Sequence, residues 1–233
     1  MTIFEMHNGV KLGLDKSSSL PLPAFMPEEI DYWLNEAQLQ IVKQKAFGNN
    51  YRTEAFEGSI KRIEDLTPLV KIAELDSFSH PFYENVKYFR PTEADDYMFF
   101  VEAVAGVADV PRAGAPITNI TRIGTTKISH ADIKNFIQTE FNIPYIKNPL
   151  VYFYDNKIGC IHDPYKTVTA LYVTYIKYPD KLVRTVPGYR ETNVSELPEQ
   201  AHQEIVALTI NLLLENIESQ RQESNTSQLN KKE

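Results

Sequence analysis

Residues 195–218 read SELPEQAHQEIVALTINLLLENIE, and the recurrence of their apolar positions decides the fold. Ala201, Ile205, Leu208 and Leu212 form one stripe at three- and four-residue steps. Val206, Ile210, Leu213 and Ile217 form a second stripe, rotated from the first. The spacing predicts a helix from Glu196 to about Glu218, with Ser195 as its cap and Pro198 in its first turn. Two stripes make a wide apolar face: one packs on its own chain, and the other is available to a neighbour. Beyond it, residues 219–233 (SQRQESNTSQLNKKE) lack core-forming side chains and predict a flexible polar tail.

Upstream of this helix the texture is that of strands. Residues 167–177 (TVTALYVTYIK) are rich in β-branched and aromatic side chains and give the clearest strand, closed by Pro179 and Asp180. Residues 150–154 and 158–162, separated by Asp155-Asn156-Lys157, read as a hairpin. Residues 96–107 (DYMFFVEAVAGV) and 119–123 read as further strands, and residues 69–75 alternate in part. Ser129 opens a short helix to about Phe141, with Ile133, Phe136, Ile137 and Phe141 on its apolar side.

At the other end, residues 27–47 predict a helix. Pro27 suits its first turn, Glu28, Glu29 and Asp31 favour its positive start, and Ile30, Trp33, Leu34, Ala37 and Ile41 build an apolar face that stops at Gly48. A second helix from about Thr53 to Glu64 turns Phe56, Ile60 and Ile63 inward. Residues 1–26, with Gly9, Gly13, a serine run at 17–19 and Pro21 and Pro23, predict an extended arm, either a tether along its own subunit or a docking peptide. The fold class is α+β. A helical lobe is built from both chain ends (27–66 and 195–218), and a β-rich lobe (67–194) is inserted between them.

Composition narrows the function classes. The chain has 233 residues, enough for a sizeable core, and its 42% hydrophobic and 24% charged content is ordinary for a globular protein. A net charge of −7 disfavours phosphate binding, which needs Lys and Arg to displace counterions. An acidic wall lets DNA slide past without sticking. One cysteine, Cys160, excludes an internal disulfide framework and fits a reducing cytoplasm. The N-terminus lacks the basic-then-apolar pattern of a signal peptide, and no apolar run is long enough to span a membrane.

Candidate chemistry is thin. Cys160 and His162 share a strand face, the beginning of a nucleophile pair, but no elbow or glycine-rich oxyanion turn surrounds them. His130, His162 and Asp163 are the nearest approach to a metal set; the histidines at 7, 80, 130, 162 and 202 have no ligand spacing. No phosphate-cradling glycine motif occurs, and Asp95-Asp96 read as solvated acids. The expectation is therefore no catalytic residues, no cofactor and no metal.

Three segments carry a resemblance. Residues 25–38 (FMPEEIDYWLNEAQ) resemble the opening helix of virion structural proteins of podoviruses, especially crAss-like phages, where a DYxLNxAQ pattern recurs. Residues 171–179 (LYVTYIKYP) resemble the strand preceding the final helix of those proteins, and residues 197–206 (LPEQAHQEIV) resemble that helix. The resemblance implies a non-enzymatic head-to-tail adaptor of the phage neck. Such a subunit is made in the host cytoplasm and forms a ring of about twelve copies between portal and tail, through which DNA passes without specific binding. A ring needs two unlike surfaces. The expected interface residues are Val206, Ile210, Leu213 and Ile217 on one side and Trp33, Leu34 and Ile41 on the other. Glu93, Asp95, Asp96, Glu191, Glu196 and Glu199 are candidate lumen acids. The alternatives are another tail- or capsid-associated binding module, whose β lobe contacts a partner, and an enzyme using Cys160 and His162.

Overall fold

The computed structural model describes residues 1–17, 25–47, 60–78, 86–90, 96–109, 120–138, 148–154, 157–163, 166–184 and 194–229. The chain divides into two units, residues 1–69 with 178–233, and residues 70–177. The expected α+β class holds, with helices from both ends and a β-rich middle. The helical unit starts earlier and resumes earlier than the sequence predicts, because residues 1–17 and 178–184 belong to it.

Its helices are α1 (Ile3–Ser17), α2 (Pro27–Phe47), α3 (Ile60–Leu66) and α5 (Glu199–Leu229). Helix α1 corrects the expected extended arm. Ile3, Met6, His7, Val10 and Leu14 recur at helical steps and all are buried. Its start is a capping box: the Thr2 hydroxyl accepts from Glu5 N, and the Glu5 carboxylate accepts from Thr2 N. Gly9 and Gly13 look like helix breakers but are contact points. A β-carbon at Gly9 would lie 3.2 Å from Val206 Cγ1, and one at Gly13 would lie 2.2 Å from Ile210 Cδ1. The α1 backbone therefore lies directly on α5.

Helix α2 forms over the predicted span, its first turn tied by Glu29, whose carboxylate accepts from Met26 N at 2.9 Å. It buries Ile30, Leu34, Ala37 and Ile41 and packs along α5. Near its end the Lys45 ammonium bridges Asp65 at 2.6 Å and Glu204 at 2.7 Å, joining α2, α3 and α5. The predicted Thr53 cap and Phe56 lie outside the described residues, and Ile63, expected inward, is exposed while Leu66 is buried. Helix α5 begins at Glu199, three residues later than expected: residues 196–197 form a bend, and Pro198, whose carbonyl accepts from Ala201 N, stands just before the first turn. Ser195 is thus not its cap; its hydroxyl accepts from Leu197 N and donates to Gln38 Oε1. The α5 backbone continues through Leu229, across most of the predicted polar tail.

The second unit is a curled sheet. Its strands are β1 (Val70–Phe78), β2 (Val86–Phe89), β3 (Tyr97–Asp109), β4 (Thr121–Gly124), β5 (Thr126–Lys127), β6 (Leu150–Tyr154), β7 (Lys157–Ile161) and β8 (Lys166–Lys177). They run in the order β4-β3-β8-β1-β2-β7-β6-β5. Strands β4 and β5 lie at opposite ends of this order, yet only Thr125 separates them in the chain. Residues 121–127 therefore pair with β3 in their first half and β6 in their second, and draw the two ends of the sheet into a nearly closed barrel. Thr125 makes the crossing: its N–H and hydroxyl both donate to the Ala103 carbonyl, and the next residue donates to Pro149 O.

Alternate strand residues fill the interior, among them Leu75, Phe89, Ala105, Val151, Ile158, Leu171 and Val173. On the other face of β2, β7 and β6, the short helix α4 (Ile133–Gln138) supplies Ile133 and Phe136 against Val86, Tyr88, Tyr152 and Ile161. Ser129 caps the 3-10 turn leading into α4, as its position predicts. Gly159 sits between Tyr88 and Tyr152 on neighbouring strands; the Tyr152 ring lies over it, and its hydroxyl meets that of Tyr88 at 2.8 Å.

Candidate assembly interface and the polar clamp

The seven expected interface residues do not form one exposed surface. Leu34, Ile41, Leu213 and Ile217 are buried within the chain, and Val206 and Ile210 are partly covered by α1 at Gly9 and Gly13. The second stripe of α5 is thus occupied by the chain's own N-terminal helix, and the expectation that it stands free for a neighbour is corrected. The physical reason is the unrecognised helix: with α1 read as an arm, nothing remained to cover the stripe. Trp33 is half-buried and lies edge-on to Tyr32 at 5.3 Å, while Tyr32 is exposed. Apolar side chains that are open on the helical unit include Phe4, Leu12, Tyr32 and Phe47.

A site that the sequence reading passed over runs along α2. Asp31, Asn35 and Gln38 fall at successive helical steps and face the chain that returns from β8. The Asp31 carboxylate accepts the Arg184 N–H at both oxygens, at 3.2 and 3.1 Å. Asn35 accepts from Leu182 N at 2.8 Å and donates to Leu182 O at 2.7 Å. Gln38 donates to Asp180 O at 3.1 Å and accepts from the Ser195 hydroxyl. Three side chains of one helix thus hold residues 180–184 by their backbone, as a neighbouring strand would, and satisfy both backbone groups of Leu182, which is buried. The signal was available, since these are the Asp, Asn and Gln of the DYxLNxAQ pattern, spaced four and three apart.

The same carboxylate meets α1. His7 Nε2 lies 2.7 Å from Asp31 Oδ1, and His7 is fully buried. Burial pushes the His7 imidazole below its ordinary range, outweighing the Asp31 hydrogen bond and charge that raise it. His202, on α5, is likewise held low by burial; its Nε2 donates to Leu197 O at 2.8 Å.

The other candidates separate. Cys160 lies in the barrel interior, where burial pushes its thiol up to about 12. His162 Nδ1 lies 2.9 Å from Asp163 O and is drawn into no bond with the thiol. A thiol of this kind stays protonated at neutral pH and is a poor nucleophile. It is expected to react with an aromatic disulfide reagent at least about a thousandfold more slowly in the folded protein at about pH 8 than in denaturant. Comparable rates in the two states would show an open thiol and revive a role for it. His130 is exposed and stacks on Tyr154 at 6.0 Å, away from any ligand set, and the described residues hold no group of three metal-binding side chains.

Of the candidate lumen acids, Glu93, Asp95 and Glu191 lie outside the described residues. Asp96 is engaged: Lys71 lies 2.6 Å from it and Tyr175 donates to it, and the Lys71 hydrogen bond above all holds its carboxyl below the usual range. Glu196 accepts from Asp180 N, and Glu199 is exposed. No helix among the described residues is long and apolar enough to cross a membrane. No protein-family model matches the sequence, and no curated protein matches it.

Proposed function

We propose that this chain is a structural virion protein, a ring-forming adaptor of the phage neck that joins portal to tail and leaves a channel for DNA. The observation that carries the reading is the polar clamp. The three segments that resemble neck adaptors are far apart in the chain, and the clamp joins the first to the stretch between the other two: Asp31, Asn35 and Gln38 hold residues 180–184, which follow the second, and Ser195, two residues before the third, donates to Gln38.

In this reading the neighbour-facing surface of the helical unit is the outer side of α1 and α2. There Leu12, Tyr32 and Phe47 are more than half exposed, at 60%, 62% and 60%. Large exposed apolar side chains are costly in a lone subunit and are covered by head-to-tail contact in a closed ring. A second reading, a binding module elsewhere in the tail or capsid, is favoured by the exposed aromatic group on the barrel, Phe153 and Tyr154, with Lys127 over the Phe153 ring.

Negative-stain imaging of the full chain mixed with the portal protein of its own particle tests the first reading. Rings of about twelve copies seated on the portal are expected. A chain that stays off the portal and forms a trimer or monomer would favour the binding module instead.

A further inference from the structure

The seam between α1 and the rest of the helical unit carries two buried histidines, and both are bonded as neutral rings. His7 donates from Nε2 to Asp31, and among the described residues its Nδ1, also buried, has no partner. His202 donates from Nε2 to Leu197 O, so its Nδ1 is the acceptor; Met1 N lies 3.1 Å from it. We infer that α1 is a proton-sensitive cover: acidification releases it from α5 and uncovers Val206 and Ile210.

The argument is one of unmet partners. A proton on His7 Nδ1 creates a charged donor in a fully buried position with no acceptor. Asp31 attracts that charge, but it meets the ring at Nε2 and gives the new proton on Nδ1 no acceptor. The other charged groups around His7 are cations: Arg184, whose guanidinium sits over the Phe4 ring of α1, and Lys11, one turn further along α1. A proton on His202 Nδ1 would face the Met1 amine and deprive that amine of its acceptor; burial and the amine oppose the charge, while the backbone of Leu197 and Ser195 and the Glu199 carboxylate favour it less strongly.

The sign follows from linkage. Both rings titrate below their ordinary value while α1 is docked, and undocking would take His7 out of its burial and the Met1 amine away from His202, so both would rise towards that value. Docking is therefore complete above about pH 6.5 and weakens as pH falls through and below that value. What is uncovered is the second stripe of α5, an apolar row that the closed subunit keeps from neighbours. The inference stands on contacts within the helical unit and does not depend on the neck reading.

Amide hydrogen exchange of the full chain at about pH 7.5 and about pH 5 tests it, with rates corrected for the intrinsic effect of pH. Exchange across residues 3–17 is expected to speed up by about tenfold or more at the lower pH, while the β8 amides of the barrel hold their protection. In the double variant His7→Gln, His202→Gln the change across residues 3–17 is expected to vanish, since glutamine still donates to Asp31 and does not titrate here. Unchanged α1 protection in the wild type, or the same acceleration in the double variant, would overturn the inference. If the variant does not fold, the imidazole titration of His7 in the wild-type protein decides. A midpoint at or above the ordinary histidine value overturns the inference, and one well below it agrees.

Discussion

Replacing Asn35 by Ala is expected to destabilise the helical unit by about 3 kcal/mol, because two backbone groups of Leu182 lose their partner at once. Leu182 is buried, at 2% exposure, so water does not readily replace the lost amide. Each stranded donor or acceptor costs about 1–3 kcal/mol, whereas removing an exposed asparagine costs little. Trp33, the chain's one tryptophan, lies on α2 two residues from Asn35 and reports on this unit alone. Urea unfolding followed by its fluorescence should show a clear fall in midpoint. Asn35→Asp is expected to do no better than alanine: it keeps an acceptor for Leu182 N but sets a carboxylate against the Leu182 carbonyl. A loss below about 1 kcal/mol for Asn35→Ala would mean that residues 180–184 are held by packing, and the clamp would lose its role.

The second large effect is expected in the barrel. Gly159→Val should destabilise it by about 3 kcal/mol or more, since a β-carbon there would lie 2.5 Å from Tyr152 Cζ and 2.6 Å from Cε1. The obstacle is a ring that cannot step aside cheaply. Tyr152 is buried among Val86, Ile133 and Ile161, and its hydroxyl meets that of Tyr88. The substitution must therefore displace the ring, break the hydroxyl pair and disturb the packing under α4. A double-mutant cycle separates this from any general effect of valine. With Tyr152→Ala the penalty of Gly159→Val should shrink by about 1–2 kcal/mol, and with Tyr152→Phe it should remain, because the ring does. Amide exchange of β6 and β7 reads the result locally. Strict additivity with Tyr152→Ala would show that the ring is not the obstacle.

The elements legible in the sequence were those whose local pattern and tertiary surroundings agree. Helix α2 and strand β8 lie within a residue of their expected bounds, and the β6–β7 hairpin pairs as its spacing predicts. What escaped reading depended on partners distant in the chain. Gly9 and Gly13 argue against a helix until Val206 and Ile210 are known to lie against them. The same lapse produced the wrong interface, since the α5 stripe looks surplus only when α1 is an arm. The clamp was present as a polar stripe, but Asp31, Asn35 and Gln38 look like an ordinary solvated face until residues 180–184 are placed on it. Closure of the sheet is equally hidden, because residues 121–127 carry no mark of pairing with two strands. Ile63 and the start of α5 show the usual uncertainty of helix ends, sharpened here by Pro198.

The helical unit is discontinuous, and this orders events on the ribosome. Helices α1 and α2 precede the barrel in the chain, but the surface they need for burial, α5, is synthesised after it. The barrel lies wholly between and can complete its pairing while the nascent chain is still tethered. Until α5 arrives, the apolar faces of α1 and α2 lack their own cover, so the nascent chain passes through an interval in which those faces must be kept from sister chains on neighbouring ribosomes.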